Sequence, residues 1–195
     1  MESPPRHYVA LAFLPVVIAL VTLVALVVYQ RGAEERRDRW QQPEAVLDAI
    51  GVRPGMRVAE WHPSDTYFLE RLVGRVGESG SVYAVRPSAR VLEAIEARAP
   101  RVTVVSELPP VLDVLLDIHV SVTDQEISDV EKELREAGEK LAAGGRVGFI
   151  GVRGERFAHA LSPDALADAA AAHGLRLARK EESLDRQFLL VLEKE

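Results

Sequence analysis

The sequence contains no cysteine. That absence excludes disulfides, thiolate metal sites and a cysteine nucleophile, and it leaves the redox compartment open. Basic charge is also short. Lys and Arg number 24 against 30 Asp and Glu, a formal net charge of −6. No basic footprint argues for nucleic acid, and no nucleic-acid partner is expected. The chain has no Gly-x-Ser-x-Gly elbow and no phosphate-loop pattern, so two common signals of nucleophilic and phosphate chemistry are missing. The stretch "GGRVGFIG" does not serve as a dinucleotide fingerprint, because its glycines precede and end a strand instead of joining a strand to a helix. There is no internal repeat and no low-complexity tract.

What is present begins with an uncharged run from Tyr8 to Tyr29, in which Thr22 is the only strongly polar residue besides the flanking tyrosines. As a helix the run reaches roughly 33 Å, against a hydrocarbon core of about 30 Å. Tyrosines at both ends suit the two membrane interfaces, and Pro15 is tolerable in a spanning helix. A cleaved signal peptide is the rival reading. Its apolar region is shorter and ends at a small-residue site, whereas this run exits through Val28, Tyr29, Gln30 and Arg31. The expected organisation is a tail (1–7), an uncleaved single-pass transmembrane helix (8–29), a charged linker (30–42) and a soluble domain (43–195). Arg6 precedes the span, while Arg31, Arg36, Arg37 and Arg39 follow it. The positive-inside rule therefore places the domain on the cytoplasmic side of an inner or plasma membrane. Export, with the domain outside, is the alternative.

In the soluble part, apolar runs alternate with amphipathic stretches. Pro43 opens a short helix carrying Val46, Leu47 and Ile50, with Gly51 at its C′ position. Strands are expected at 57–61, 81–86, 102–106, within 111–120 and at 146–152. Helices are expected at 66–76, after strand two with Val91, Leu92, Ile95 and Ala99, and from about Asp124 to the Gly144-Gly145 pair. Ile127, Val130, Leu134, Ala137 and Leu141 give that last helix its apolar stripe. Ser162-Pro163 starts another helix closing at Gly174, and 175–184 with 187–193 forms a final hairpin. Strands separated by helices imply an α/β, doubly wound, mostly parallel seven-stranded Rossmann-like sheet with a C-terminal antiparallel hairpin.

Four stretches carry a family resemblance: "PEAVLDAIGVRPGMRVAEW", "GESGSVYAVRPSARVLEAIEARAP", "EKELREAGEKLAAGGRVGFIGVRGE" and "SPDALADAAAAHGLRLARKEESLDRQFLLVLEKE". In order and spacing they resemble the class I S-adenosylmethionine-dependent methyltransferases. The resemblance implies a cofactor pocket at the ends of strands one to three, and its positions map onto Glu60, His62, Ser64, Arg86 and Glu107. Glu60 stands at the acid that opens the family's glycine loop, while His62, Ser64 and Thr66 replace its three glycines. Arg86 replaces the acid that accepts from the cofactor's ribose hydroxyls, and an arginine has only donors. Glu107 is the nearest match to the acid that holds the adenine amino group. Asp113 matches another common acid, with a structural role at the start of strand four.

The local rules around these positions add expectations. Pro63 pushes His62 toward extended geometry. Ser64 should cap the following helix, with Asp65 favourably placed by the helix dipole. Glu60 and Arg86, on neighbouring strand ends, should form a salt bridge across the vacated pocket; the alternative is that Arg86 receives a ligand phosphate or carboxylate, which its planar fork suits. His62, Asp117 and His119 are the one set able to hold zinc with an open position. No ligand-spacing motif supports that set, so no metal is expected.

The reading that follows is a membrane-anchored methyltransferase-like domain with degenerate cofactor motifs. It is expected to be a non-catalytic binding or scaffolding module with no cofactor, a membrane contact through 8–29 and a protein partner near the bilayer. One alternative is an active S-adenosylmethionine-dependent methyltransferase with a glycine-poor loop, acting on a membrane-proximal substrate. A metal-dependent hydrolase is the second. No catalytic residue is identifiable.

Overall fold

The computed structural model describes residues 6–118, 127–152, 162–182, 184 and 187–195. The expectations at His119 and at the start of the helix near Asp124 lie outside the described residues. The chain divides into two compact units, Met1–Trp40 and Gln41–Glu195.

The first unit is helical. Helix α1 runs without a break from Arg6 to Gln41, with Pro15 inside it. Residues 31–41 continue the helix. The apolar side chains from Val16 to Val28 are exposed along its length. Thr22, the polar exception, donates its hydroxyl to the Ile18 carbonyl at 2.8 Å, so its polar group is satisfied inside the helix. By length and composition this helix is able to cross a membrane.

In the second unit, α2 (Pro43–Ile50) starts after a left-handed Gln42 and stops at Gly51, whose φ of +88° would strain any side chain. Its apolar stripe, Val46, Leu47 and Ile50, is fully buried. Arg146 fixes the helix end by donating to the Ile50 carbonyl at 3.1 Å while its Nε bonds Glu193.

The strands are β1 (Arg57–Trp61), β2 (Ser81–Val85), β3 (Val102–Val105), β4 (Leu112–Ile118), β5 (Leu141–Val152), β6 (Leu175–Glu181) and β7 (Gln187–Lys194). They form one sheet in the order β3-β2-β1-β4-β5-β7-β6. The first five run parallel, and β7 pairs antiparallel with both β5 and β6. Strand β1 is thus central, between β2 and β4, with the hairpin at the far edge.

Alternation along the strands feeds two cores. Val58, Val82, Ala84, Val114, Leu116 and Ile150 pack with α2, α3 (Tyr67–Val76) and α4 (Ala89–Arg98) on one face. Ala59, Trp61, Val85, Leu115, Val147 and Phe149 pack with α5 (Ile127–Lys140) and α6 (Pro163–Ala171) on the other. In α4 only Val91 and Ile95 enter the core. Leu92 faces outward, 37% exposed.

One boundary differs from the sequence reading. Helix α5 ends at Lys140 instead of at Gly144-Gly145, and β5 begins at Leu141. Leu141 already pairs with Leu112, and its carbonyl accepts from Lys194 Nζ at 2.7 Å. The register then jumps, so that Val114 faces Arg146, and Gly144 takes a φ of +73° within the irregularity.

Asp113 has a structural role. It accepts from the Arg57 backbone N–H at 2.8 Å and from the Arg57 guanidinium at 3.2 and 2.9 Å, joining the starts of β1 and β4. The hydrogen bond from Arg57 holds the Asp113 carboxyl below its usual pKa. Its stabilisation is therefore present above the ordinary carboxylate range and is lost as pH falls through the depressed value. Asp113→Ala should cost about 1–3 kcal/mol in chemical denaturation, because it leaves a backbone donor and a guanidinium without their acceptor. A loss within experimental error would contradict this role.

Candidate functional site

In an open α/β sheet the ligand crevice lies at the carboxyl ends of the strands, where strand order reverses. Here the reversal falls between β1 and β4, and the side chains there come from β1, β2, β4 and α5.

The backbone at this edge is unusual. His62 and Arg86, each one residue past a strand, have φ of +43° and +52°. Their N–H groups donate to Val85 and Val105 at 2.9 Å each, carrying the parallel ladder one step further. The expected extended geometry of His62 is therefore wrong. The bond to Val85 outweighs the local preference imposed by Pro63. Left-handed backbone costs a residue with a Cβ roughly 1–2 kcal/mol, and the family's glycine loop avoids that cost.

The cap also differs from expectation. Helix α3 starts at Tyr67, and Asp65, not Ser64, accepts from the Tyr67 N–H at 2.8 Å. Thr66, the last of the three glycine positions, is buried and its hydroxyl reaches Glu70 at 2.5 Å. Ser64 is exposed, as is Glu107 beyond β3.

Arg86 does not pair with Glu60. Its Nε donates to the Ser106 carbonyl at 2.9 Å and its Nη2 lies 3.4 Å from Glu136 of α5. Glu60 follows Val58 in the alternation and so lies on the α3 face, away from α5. It is 3% exposed. The guanidinium thus spends its donors on β3 and α5.

Two further acids complete the α5 side. Asp117, beside Trp61 in register, is 7% exposed, and Glu133 of α5 is 8% exposed. Burial, then the charge of Glu133 and its hydrogen-bonding carboxyl group, push Asp117 well above its usual pKa. His62 Nε2 lies 3.8 Å from Glu133 Oε1. Burial and the nearby Arg86 charge lower the His62 pKa, which favours a neutral imidazole, so this contact is not a strong ion pair. Among the described residues the buried Trp61 indole N–H has no hydrogen-bond partner, and neither do the side-chain amide atoms of Gln187, across from Val152 at the same edge.

Of the sequence candidates, the fold brings His62 and Asp117 to the two sides of Glu133. Among the described residues no group of three His, Asp or Glu side chains is arranged to hold a metal. The sequence reading missed Glu133 and Glu136. Glu133 was detectable in principle, since it sits between Val130, Leu134 and Ala137 on the apolar stripe of α5, where a carboxylate is out of place.

No protein-family model matches the sequence, and no curated protein matches it. Solved structures do match. A methyltransferase dependent on S-adenosylmethionine from Aquifex aeolicus superposes with a TM-score of 0.69 at 18% identity, over 82% of this chain and 93% of that one. The chain has the class I methyltransferase fold. A TehB-like S-adenosylmethionine-dependent methyltransferase from Corynebacterium glutamicum gives 0.61 at 14% identity, over 85% and 100%. The [4+2]-cyclase SpnF gives 0.62 at 13%, over 79% and 80%. At these identities the likeness establishes the fold.

Proposed function

We propose that this protein is a membrane-anchored domain of the methyltransferase fold that no longer transfers methyl groups and acts as a binding or scaffolding module near the bilayer. The observation that carries this reading is Arg86. A donor-only side chain, fastened to Ser106 and Glu136, stands where the fold needs an acceptor for ribose hydroxyls. The occurrence of the same fold in a protein described as a cyclase agrees with the view that the fold does not dictate methyl transfer. The deciding experiment is a binding titration of the full chain in detergent with S-adenosylmethionine.

The active-enzyme reading keeps one supporting observation. His62 holds a left-handed turn like the one a loop glycine permits, and Glu60 remains at the acid position. The metal-dependent hydrolase reading has no such support among the described residues.

Anchoring is proposed through 8–29 with the domain in the cytoplasm, supported by the exposed apolar surface of α1 and the arginines after it. The chain should remain in the membrane pellet after an alkaline carbonate wash and retain its N-terminus near Met1. A soluble product beginning near residue 30 would overturn the anchor and favour a cleaved signal.

A further inference from the structure

Helix α1 carries four arginines after its apolar run, at positions 31, 36, 37 and 39. On a helix, side chains meet at spacings of three and four residues. Arg31 has Glu34 and Glu35 at those spacings, Arg37 has Glu34, and Arg39 has Glu35. Arg36 has no acid there, since its neighbours are Gly32, Ala33, Arg39 and Trp40. Its side chain is exposed and lies back along the helix, with Nη1 3.5 Å from the place a Cβ on Gly32 would occupy. A methyl at Gly32 would only touch the guanidinium, whereas a longer side chain would displace it. Tyr29, three residues before Gly32 on the same side of the helix, is 71% exposed.

Depth decides which of these arginines meets lipid headgroups. A hydrocarbon core of about 30 Å sits in a bilayer of about 40–45 Å, so each headgroup layer is about 5–7 Å thick. With Tyr29 at the inner boundary of that layer and a rise of about 1.5 Å per residue, Gly32 stands about 4.5 Å beyond the boundary, inside the layer. The Cα of Arg36 stands about 10 Å beyond it, outside the layer. Because the side chain folds back by one turn, its guanidinium returns to the level of Gly32. Arg39 reaching back by the same turn would arrive at Glu35, about 9 Å out and beside an acid. Arg37 is already engaged. Arg31 stands at headgroup depth but beside two acids. Glu34, Glu35 and Asp38 share another side of the helix, so the line from Tyr29 through Gly32 to Arg36 is its cationic side.

We propose that Arg36, laid over Gly32 with Tyr29 on the apolar side, binds the phosphate of an anionic phospholipid in the leaflet from which α1 emerges. The proposal rests on the reading of 8–29 as a spanning anchor and adds the class of lipid that the anchor selects. A guanidinium offers a planar fork that matches two phosphate oxygens. A zwitterionic headgroup brings its own cation to its phosphate. An anionic headgroup leaves its net charge for the protein to meet. Anionic lipids give the cytoplasmic leaflet its negative surface potential, which agrees with the orientation proposed from the same arginines.

The test is native mass spectrometry of the full chain released from mixed micelles that hold phosphatidylglycerol and phosphatidylcholine in equal amounts. The wild-type chain should carry the anionic lipid over the zwitterionic one by about fivefold, the preference that one arginine near a charged surface supplies. Arg36→Gln should abolish the preference. Gly32→Leu should abolish it too, although it leaves the arginine in place, because the added side chain fills the space beneath the guanidinium. Arg39→Gln should keep the wild-type preference. A wild type without preference, or an Arg36→Gln or Gly32→Leu chain that retains it, overturns the proposal. An Arg39→Gln chain that loses it as fully as Arg36→Gln also overturns it, since diffuse charge would then suffice. Inorganic phosphate at the concentration of the lipid should leave the adduct in place, and displacement would overturn the assignment to a lipid. The anchor fails by a different result. A soluble product beginning near residue 30 sinks the anchor, whereas equal lipid adducts on a chain that stays in the carbonate-washed pellet sink the lipid site alone.

Discussion

In an isothermal titration the full chain in detergent should give no saturable heat with S-adenosylmethionine at micromolar concentrations. Three losses act together. On the proposed reading, ribose hydroxyls would meet the Arg86 guanidinium in place of an acceptor, and that guanidinium is already bonded to Ser106 and Glu136. The loop residues His62, Ser64 and Thr66 carry Cβ atoms where glycines let the cofactor approach the backbone. Asp65 at the start of α3 places a carboxylate at the helix end that would otherwise favour anionic groups of a ligand. An unmade hydrogen bond to a charged group costs roughly 1.5–3 kcal/mol, about a factor of ten or more each. Two or three such losses move a micromolar affinity toward millimolar, about 4 kcal/mol. Arg86→Asp alone should not restore binding, because the new carboxylate would face Glu136. Arg86→Asp with Glu136→Gln and His62→Gly is the combination expected to recover heat. A dissociation constant in the low micromolar range for the unaltered chain would overturn the prediction and promote the active-enzyme reading.

The parts of the fold that were legible in the sequence are those set by local periodicity. The five parallel strands and the terminal hairpin follow from apolar runs bounded by turn residues, whereas the central place of 57–61 is implied by the family resemblance. The failures occur where a long-range contact overrides a local rule. Pro63 argues for an extended His62, but the hydrogen bond from His62 N–H to Val85, contributed by another strand, holds it left-handed. Ser64 is a good cap by type, yet the turn begins two residues later and Asp65 reaches the free N–H. The glycine pair at 144–145 looks like a helix stop, whereas Leu141 has already joined β4. The Glu60–Arg86 pairing fails for a similar reason. Adjacent strand ends bring the residues near in register, but alternation places Glu60 on the α3 face, and Glu136 arrives from α5, dozens of residues further along the chain. A partner supplied by a distant helix leaves no mark in the spacing of the strand residues. Glu133 is the exception. Its position on an apolar stripe was visible, and only the identity of its partner required the fold.

Trp61→Ala should be the most destabilising single change at this edge, at about 3–5 kcal/mol. The indole is 1% exposed and lies between Val85 and Asp117 in register, in the core shared with Leu115, Phe149 and Leu134. Its removal leaves a cavity in the middle of the sheet face, where strands fixed by hydrogen bonds on both sides cannot close in. For a chain of this size the loss lowers the melting temperature by roughly 10 °C, readable by far-ultraviolet circular dichroism. Trp61→Phe separates packing from hydrogen bonding. Among the described residues the buried indole N–H has no partner, so its removal forfeits no bond to them and relieves a desolvated donor. Phenylalanine keeps most of the apolar contact, so this variant should cost less than half as much as alanine. If the two variants prove equally damaging, the N–H makes a bond that matters. If alanine costs under about 1 kcal/mol, the strand ends are able to close around the gap, against the expectation for a well-packed core. The same substitution bears on the carboxyl pair. Asp117 owes its raised pKa first to burial, and Trp61 is its neighbour on β1. A cavity that admits water there would favour the ionised carboxylate.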